Sequence, residues 1–140
     1  EHVVELVADA FKECNKTIQG SDILILGISY KPDVKDIQLT PAENIIKKLK
    51  DLGANIHIYD PYFSLTNVFG INTEENLETT TLKKMDAAII VTGHKEFKNF
   101  TISNFRLMRN PILIDTRGVF DPVEAKNAKL IFRGLGRGQS

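Results

Sequence analysis

The sequence has a single cysteine, Cys14, among 140 residues, so no disulfide can form within the chain. No Cys/His cluster carries the spacing of a zinc site. Charge of one sign is also missing: 18 Lys and Arg balance 18 Asp and Glu, for a formal net charge of +0. A broad electrostatic nucleic-acid binder would show a basic excess, so that class is set aside, although a local anion pocket is not. No apolar run approaches the roughly 20 residues that a membrane span needs. No charged-then-apolar leader opens the chain. The only methionines are Met85 and Met108, and the first residue is Glu1. The start is therefore expected to be processed, or the chain to be a piece of something longer. The length suits one hydrophobic core. A cytoplasmic, metal-free single domain is the expectation these absences leave.

What is present alternates between two periodicities. Val3, Leu6, Val7, Ala10, Phe11 and Cys14 recur at helical spacing, predicting a helix over 3–14 that Gly20 stops. Ile23 to Leu26 is a short apolar run ending at Gly27, as in a strand buried on both faces. Thr40 as N-cap and Pro41 at the first helical position open a second helix, with Ile45, Ile46 and Leu49 as its buried stripe and Gly53 as its cap. Residues 55–59, 86–91, 111–115 and 129–132 read as further strands. Residues 61–72 read as irregular and 73–84 as a helix. Short helical turns are predicted over 95–100, 103–109 and 121–125. Buried strands alternating with amphipathic helices imply right-handed βαβ units. The expected fold class is α/β: a three-layer αβα Rossmann-like sandwich around a mainly parallel five-stranded sheet.

In such a sheet, ligands bind beyond the carboxyl ends of the strands. Lys31 follows the first strand and Arg117 follows the fourth, a point charge and a planar fork suited to a diphosphate. Two phosphate-loop patterns are missing. GISYKP is not G-x-G-x-x-G, and no G-x-x-x-x-G-K-[ST] occurs. The tail string FRGLGRG has no helix after it, so it lacks the context of a phosphate loop. No nucleophile–base set stands out, so no catalytic residue is assigned. His57 reads as a sheet residue, His94 as structural or helix-capping, and Cys14 as a small buried hydrophobe.

The segment GISYKPDVKDIQLTPAENII resembles the signature that opens the C-terminal, UDP-sugar-binding domain of the UDP-glucose/GDP-mannose dehydrogenase family. GANIHIYDPYF, DAAIIVTGHKEF and ILIDTRGVF match in order, and HVVELVADAF resembles the end of that family's central helical segment. The DPYF and GHKEF forms look most like the UDP-N-acetyl-hexosamine 6-dehydrogenases, including the UDP-N-acetylmannosamine type. The resemblance implies residues 1–20 as the end of a central-domain helix and 21–140 as the UDP-sugar-binding domain. It implies an NAD-dependent enzyme that oxidises the sugar C6 alcohol to a carboxylate in two steps. NAD would be bound mainly by an N-terminal domain outside this sequence. The catalytic thiol lies in a G-F-G-G-x-C motif that this sequence lacks, so the chain alone is expected to be inactive.

Tyr30 and Lys31 match the family's aromatic–lysine pair beside the nucleotide sugar, and Arg117 matches its substrate-reaching arginine. Asp36 matches the motif aspartate near the domain interface. Gln38 stands where the family has arginine near the cofactor. The implied partners are a UDP-sugar, the rest of the same polypeptide, and further copies in a homo-oligomer. The alternative is a stand-alone, non-catalytic nucleotide-binding or regulatory module, since fold alone does not fix function.

Overall fold

A computed structural model of the chain describes residues 2–29, 32–33 and 40–134. Helix α1 (His2–Glu13) buries Val3, Val7, Ala10 and Phe11 along one face. It closes earlier than Gly20. Asn15 takes a left-handed φ of 58°, and the Lys16 N–H reaches back to the Phe11 carbonyl at 3.0 Å. Helix α2 (Ala42–Asp51) buries Ala42, Ile45, Ile46 and Leu49. It starts one residue later than Pro41, and the Thr40 hydroxyl accepts from the Ala42 N–H at 3.2 Å.

The main sheet holds β1 (Asp22–Leu26), β2 (Asn55–Tyr59), β5 (Ala87–Ile90), β6 (Ile112–Asp115) and β7 (Ile131–Gly134). Their order is β2-β1-β5-β6-β7, and every pairing is parallel. The register aligns the carboxyl ends: Leu26 lies opposite Tyr59 and Ile90, and Ile90 opposite Asp115. The strand order reverses at β1, so the β1/β5 boundary is the topological switch point of the sheet.

Alternation along the strands divides the core into two layers. Ile23, Ile25, Ala87, Ile89, Ile112 and Ile114 pack with Val7, Phe11, Ile45 and Leu49 beneath α1 and α2. Leu24, Leu26, Ala88, Ile90 and Leu113 face the other way. They pack with Leu82 of α3 (Thr79–Lys83), Phe97 of α4 (Lys95–Lys98), Phe105 of a 3-10 helix (Ile102–Leu107) and Ala125 of α5 (Pro122–Asn127). Ile23, Leu24, Ile25 and Leu26 are all 0% exposed. Burying each such side chain stabilises the fold by about 1.5–3 kcal/mol. The expected three-layer α/β architecture is therefore present, with the sheet wholly parallel.

Two local expectations need correction. Residues 61–72 contain a small hairpin, β3 (Asn67–Val68) paired antiparallel with β4 (Ile71–Asn72). Phe69 and Gly70 turn it with φ of 53° and 79°, the two positive angles that a tight hairpin needs. The predicted helix over 73–84 shrinks to α3. The Thr73 hydroxyl donates to the Phe63 carbonyl and accepts from the Thr66 N–H at 2.9 Å, while the Glu74 N–H donates to the Ile58 carbonyl at 2.8 Å. These bonds hold 73–74 beside the hairpin and β2, so no helix can start there. No helix among the described residues is long and apolar enough to cross a membrane.

Candidate functional site

The floor of the site is the switch point. Gly27 ends β1 with φ 91°, and a Cβ placed on it would lie 2.6 Å from the Thr92 Cβ. Glycine is required there by both angle and space. Across that contact the Thr92 hydroxyl donates to the Ser29 carbonyl at 2.6 Å. The ends of β1 and β5 are thereby joined directly.

One wall is the turn after β6. Asp115 is fully buried; its Oδ1 accepts from the Arg117 N–H at 3.1 Å and its Oδ2 from the Phe120 N–H at 2.8 Å. The Thr116 hydroxyl donates to the Ile90 carbonyl at 2.6 Å. The Arg117 Nε donates to the Val91 carbonyl at 2.9 Å, which fixes the guanidinium by one edge. Its terminal nitrogens have no hydrogen-bond partner among the described residues. Arg117 lines a cleft of about 360 Å³ with Pro32, Thr92, Gly93, Lys98, Gly118 and Val119. That volume falls in the range of small-molecule sites. Lys98 is a second cation in this cleft, and sequence reasoning passed over it. The available signal was its place in KEFK, the short helix directly beyond β5.

A second cluster lies between the ends of β1, β2 and β5. Asp60 and His94 are both fully buried. Asp60 Oδ2 accepts from the Ile28 N–H at 2.8 Å and Oδ1 from the Tyr62 N–H at 2.8 Å, and His94 Nε2 lies 2.9 Å from Oδ2. The other ring nitrogen, Nδ1, accepts from the Asp33 N–H at 2.7 Å. Asp33 Oδ1 in turn accepts from the Lys95 N–H at 2.7 Å. Tyr62 packs on the His94 ring with centroids 4.8 Å apart. His94 flanks α4 but makes no side-chain cap bond, so its role is to bridge and not to cap.

Of the residues singled out from sequence, Arg117 lies in the cleft. Tyr30, Lys31, Asp36 and Gln38 lie outside the described residues. His57 is a sheet residue in the middle of β2, and its Nε2 lies 3.0 Å from Oδ1 of Asp22, which stands at the amino end of β1, away from the cleft. There Arg109 Nη1 also meets Asp22 at 3.1 Å and Asp86 at 3.2 Å. Burial raises the Asp22 pKa, but hydrogen bonds from His57 and Arg109 outweigh it and hold the carboxyl below its ordinary value. Cys14 is half-buried against the core, and burial, with Glu13 beside it, raises its thiol pKa.

The sequence matches the UDP binding domain of the UDP-glucose/GDP-mannose dehydrogenase family over residues 24–122. It is 34% identical over 125 residues to the UDP-N-acetyl-D-mannosamine dehydrogenase of Methanococcus aeolicus, covering 86% of this chain and 27% of that protein. It is 30% identical over 125 residues to the UDP-glucose 6-dehydrogenase TuaD of Bacillus subtilis, with the same coverage of 86% and 27%. The fold is similar to the crystal structure of NDP-N-acetyl-D-galactosaminuronic acid dehydrogenase from Methanosarcina mazei, with a TM-score of 0.86 at 27% identity. That likeness covers 97% of this chain and 29% of the other. The chain thus spans less than a third of the length of the proteins it matches.

Proposed function

The chain belongs to the UDP-glucose/GDP-mannose dehydrogenase family, as a match to its UDP-binding domain, and from that premise we propose that its cleft receives the diphosphate of a UDP-sugar. The observation that carries this reading is the edge-fixed Arg117 guanidinium, facing a cleft at the carboxyl ends of β5 and β6. An arginine fork held by one side offers paired N–H donors to phosphate oxygens at little further cost in side-chain order. Tyr30 and Lys31, which follow β1 in the sequence, are the proposed companions of Arg117 in holding the nucleotide sugar. Residues 1–20 would be the end of a central helix and 21–140 the UDP-sugar-binding unit of a longer polypeptide.

The reaction proposed for that longer protein is NAD-dependent oxidation of the sugar C6 alcohol to a carboxylate, one hydride leaving in each of two steps. The names of the similar proteins support a UDP-N-acetylhexosamine or UDP-glucose substrate. A stand-alone, non-catalytic module is not favoured, because the matched family is one of dehydrogenases. We place the NAD site elsewhere in the polypeptide, and two local features support that reading. The space beside Gly27 is filled by Thr92 and not left open for a pyrophosphate, and the described helix after β1 begins only at Ala42. Asp36 and Gln38 are proposed to face a cofactor bound elsewhere in the polypeptide.

Calorimetry with UDP tests the reading. The protein is expected to bind UDP at millimolar concentration or below, and Arg117→Ala is expected to weaken binding by about 10- to 100-fold, the worth of a charge-assisted contact. A folded protein that shows no heat with millimolar UDP would overturn it.

A further inference from the structure

We infer that His94 is a positioning residue for the cleft, holding the Pro32–Asp33 wall across from Arg117. The inference rests on the proposed UDP-sugar reading for the ligand, and on geometry alone for the wall.

The two ring nitrogens have opposite duties. Nδ1 accepts the Asp33 N–H at 2.7 Å, so it carries no hydrogen. Nε2 therefore carries the hydrogen and donates it to Asp60 Oδ2 at 2.9 Å. Asp60 is itself fixed by the N–H groups of Ile28 and Tyr62. The ring is a rigid bar, fully buried, with one end on Asp60, directly after β2, and the other on the exposed residue Asp33. Phe97 and Tyr62 pack on the ring at a tilt, with centroids 5.7 and 4.8 Å away.

Asp33 needs such an anchor. Its φ of 64° is left-handed, a conformation that aspartate tolerates better than most L-residues but that its surroundings must still hold. Its N–H is held by His94, and its carboxylate by the Lys95 N–H at 2.7 Å. The residue before it, Pro32, lines the cleft with Arg117, Gly93 and Lys98. His94 thus sits between cleft residue Gly93 and the Lys95 amide, and sets how far the Pro32 side stands from the Arg117 side.

Two substitutions separate the ends of the bar. In His94→Asn the amide oxygen can take the place of Nδ1 and accept from Asp33, while the contact to Asp60 is lost. In His94→Gln the amide nitrogen can reach Asp60, while nothing occupies the place of Nδ1. Each variant of the full-length protein is measured for melting temperature, UDP affinity and hydrogen exchange at the Asp33 amide. Both should melt lower than wild type. His94→Asn should keep UDP affinity within about twofold, and His94→Gln should lose about tenfold, the worth of one hydrogen bond. The Asp33 amide should stay protected in the first and exchange rapidly in the second. Affinity that follows melting temperature in both variants would overturn the inference, as would an unchanged Asp33 amide in His94→Gln. Absence of UDP binding by wild type would sink the ligand reading alone, since the amide exchange still decides the role of His94. Ring nitrogen NMR on the wild type needs no variant to fold. It should find the hydrogen on Nε2, and a hydrogen on Nδ1 would refute the arrangement.

Discussion

Gly27 and Thr92 stand so close that a single added carbon on the glycine would lie 2.6 Å from the threonine Cβ. The contact joins the ends of β1 and β5 at the point where the strand order reverses. Gly27→Ala would have to adopt φ near 91° or push the two strands apart. A loss of about 1–3 kcal/mol is expected, read as a lower denaturant midpoint with the slope unchanged. UDP affinity should fall with it, because Thr92 and Gly93 line the cleft. A variant as stable as wild type would show that the joint is softer than its geometry implies.

Arg117 offers a sharper separation between charge and shape. Arg117→Lys keeps the positive charge but cannot reproduce both the Nε bond to the Val91 carbonyl and the paired donors. UDP binding should weaken in the lysine variant by about tenfold and further in Arg117→Ala, with little change in melting temperature. Asp115→Asn should do the reverse. Its amide nitrogen would meet one of the two backbone N–H donors, Arg117 or Phe120. Stability should fall by about 1–3 kcal/mol, since a buried donor loses its acceptor. Equal affinity in wild type and the lysine variant would mean that charge alone serves.

The ion cluster at the amino ends of the strands predicts an acid dependence unrelated to the ligand. Asp22 has its pKa lowered in the fold, so it contributes stability above the ordinary carboxylate range that is lost as pH falls through the folded value. Arg109→Ala removes one of the groups that lower it. Wild type should therefore melt above the variant at neutral pH, and the two should converge only as the pH falls below the ordinary carboxylate range, where Asp22 protonates in the fold. A gap that stays constant into acid would show that Arg109 acts through packing and not through Asp22.

The three central strands, β1, β5 and β6, were legible because each is a short apolar run, and a run buried on both faces admits few other readings. The region from Tyr62 to Lys83 was not. Its hairpin turns on Phe69-Gly70, not on the asparagine–glycine pair that usually marks such a turn, and Thr73 prevents the expected helix through bonds to Phe63 and Thr66. Arg117 was legible as a cation after a strand. The Asp60–His94–Asp33 chain was not, because it joins residues 34 and 61 positions apart. Periodicity reports faces of elements and is silent on such pairings. A weaker cue was present, since Asp60 and His94 each follow closely on a strand at the carboxyl edge.

The fate of Cys14 tests the proposal that the chemistry resides outside this chain. A thiol serves as nucleophile only as thiolate, and a catalytic cysteine sits where cations or a helix N-terminus lower its pKa. Cys14 has the opposite setting. It follows the C-terminal end of α1, half-buried against the core, and burial with Glu13 raises its pKa. Cys14→Ser in the full-length protein should therefore leave kcat for UDP-sugar oxidation unchanged. The 140-residue chain alone, given a UDP-sugar and NAD, should form no NADH by absorbance, although it should still bind UDP. NADH formation by the chain alone would place a complete active site within these residues. A large loss of kcat in Cys14→Ser, with melting temperature preserved, would make this thiol the one that carries the sugar.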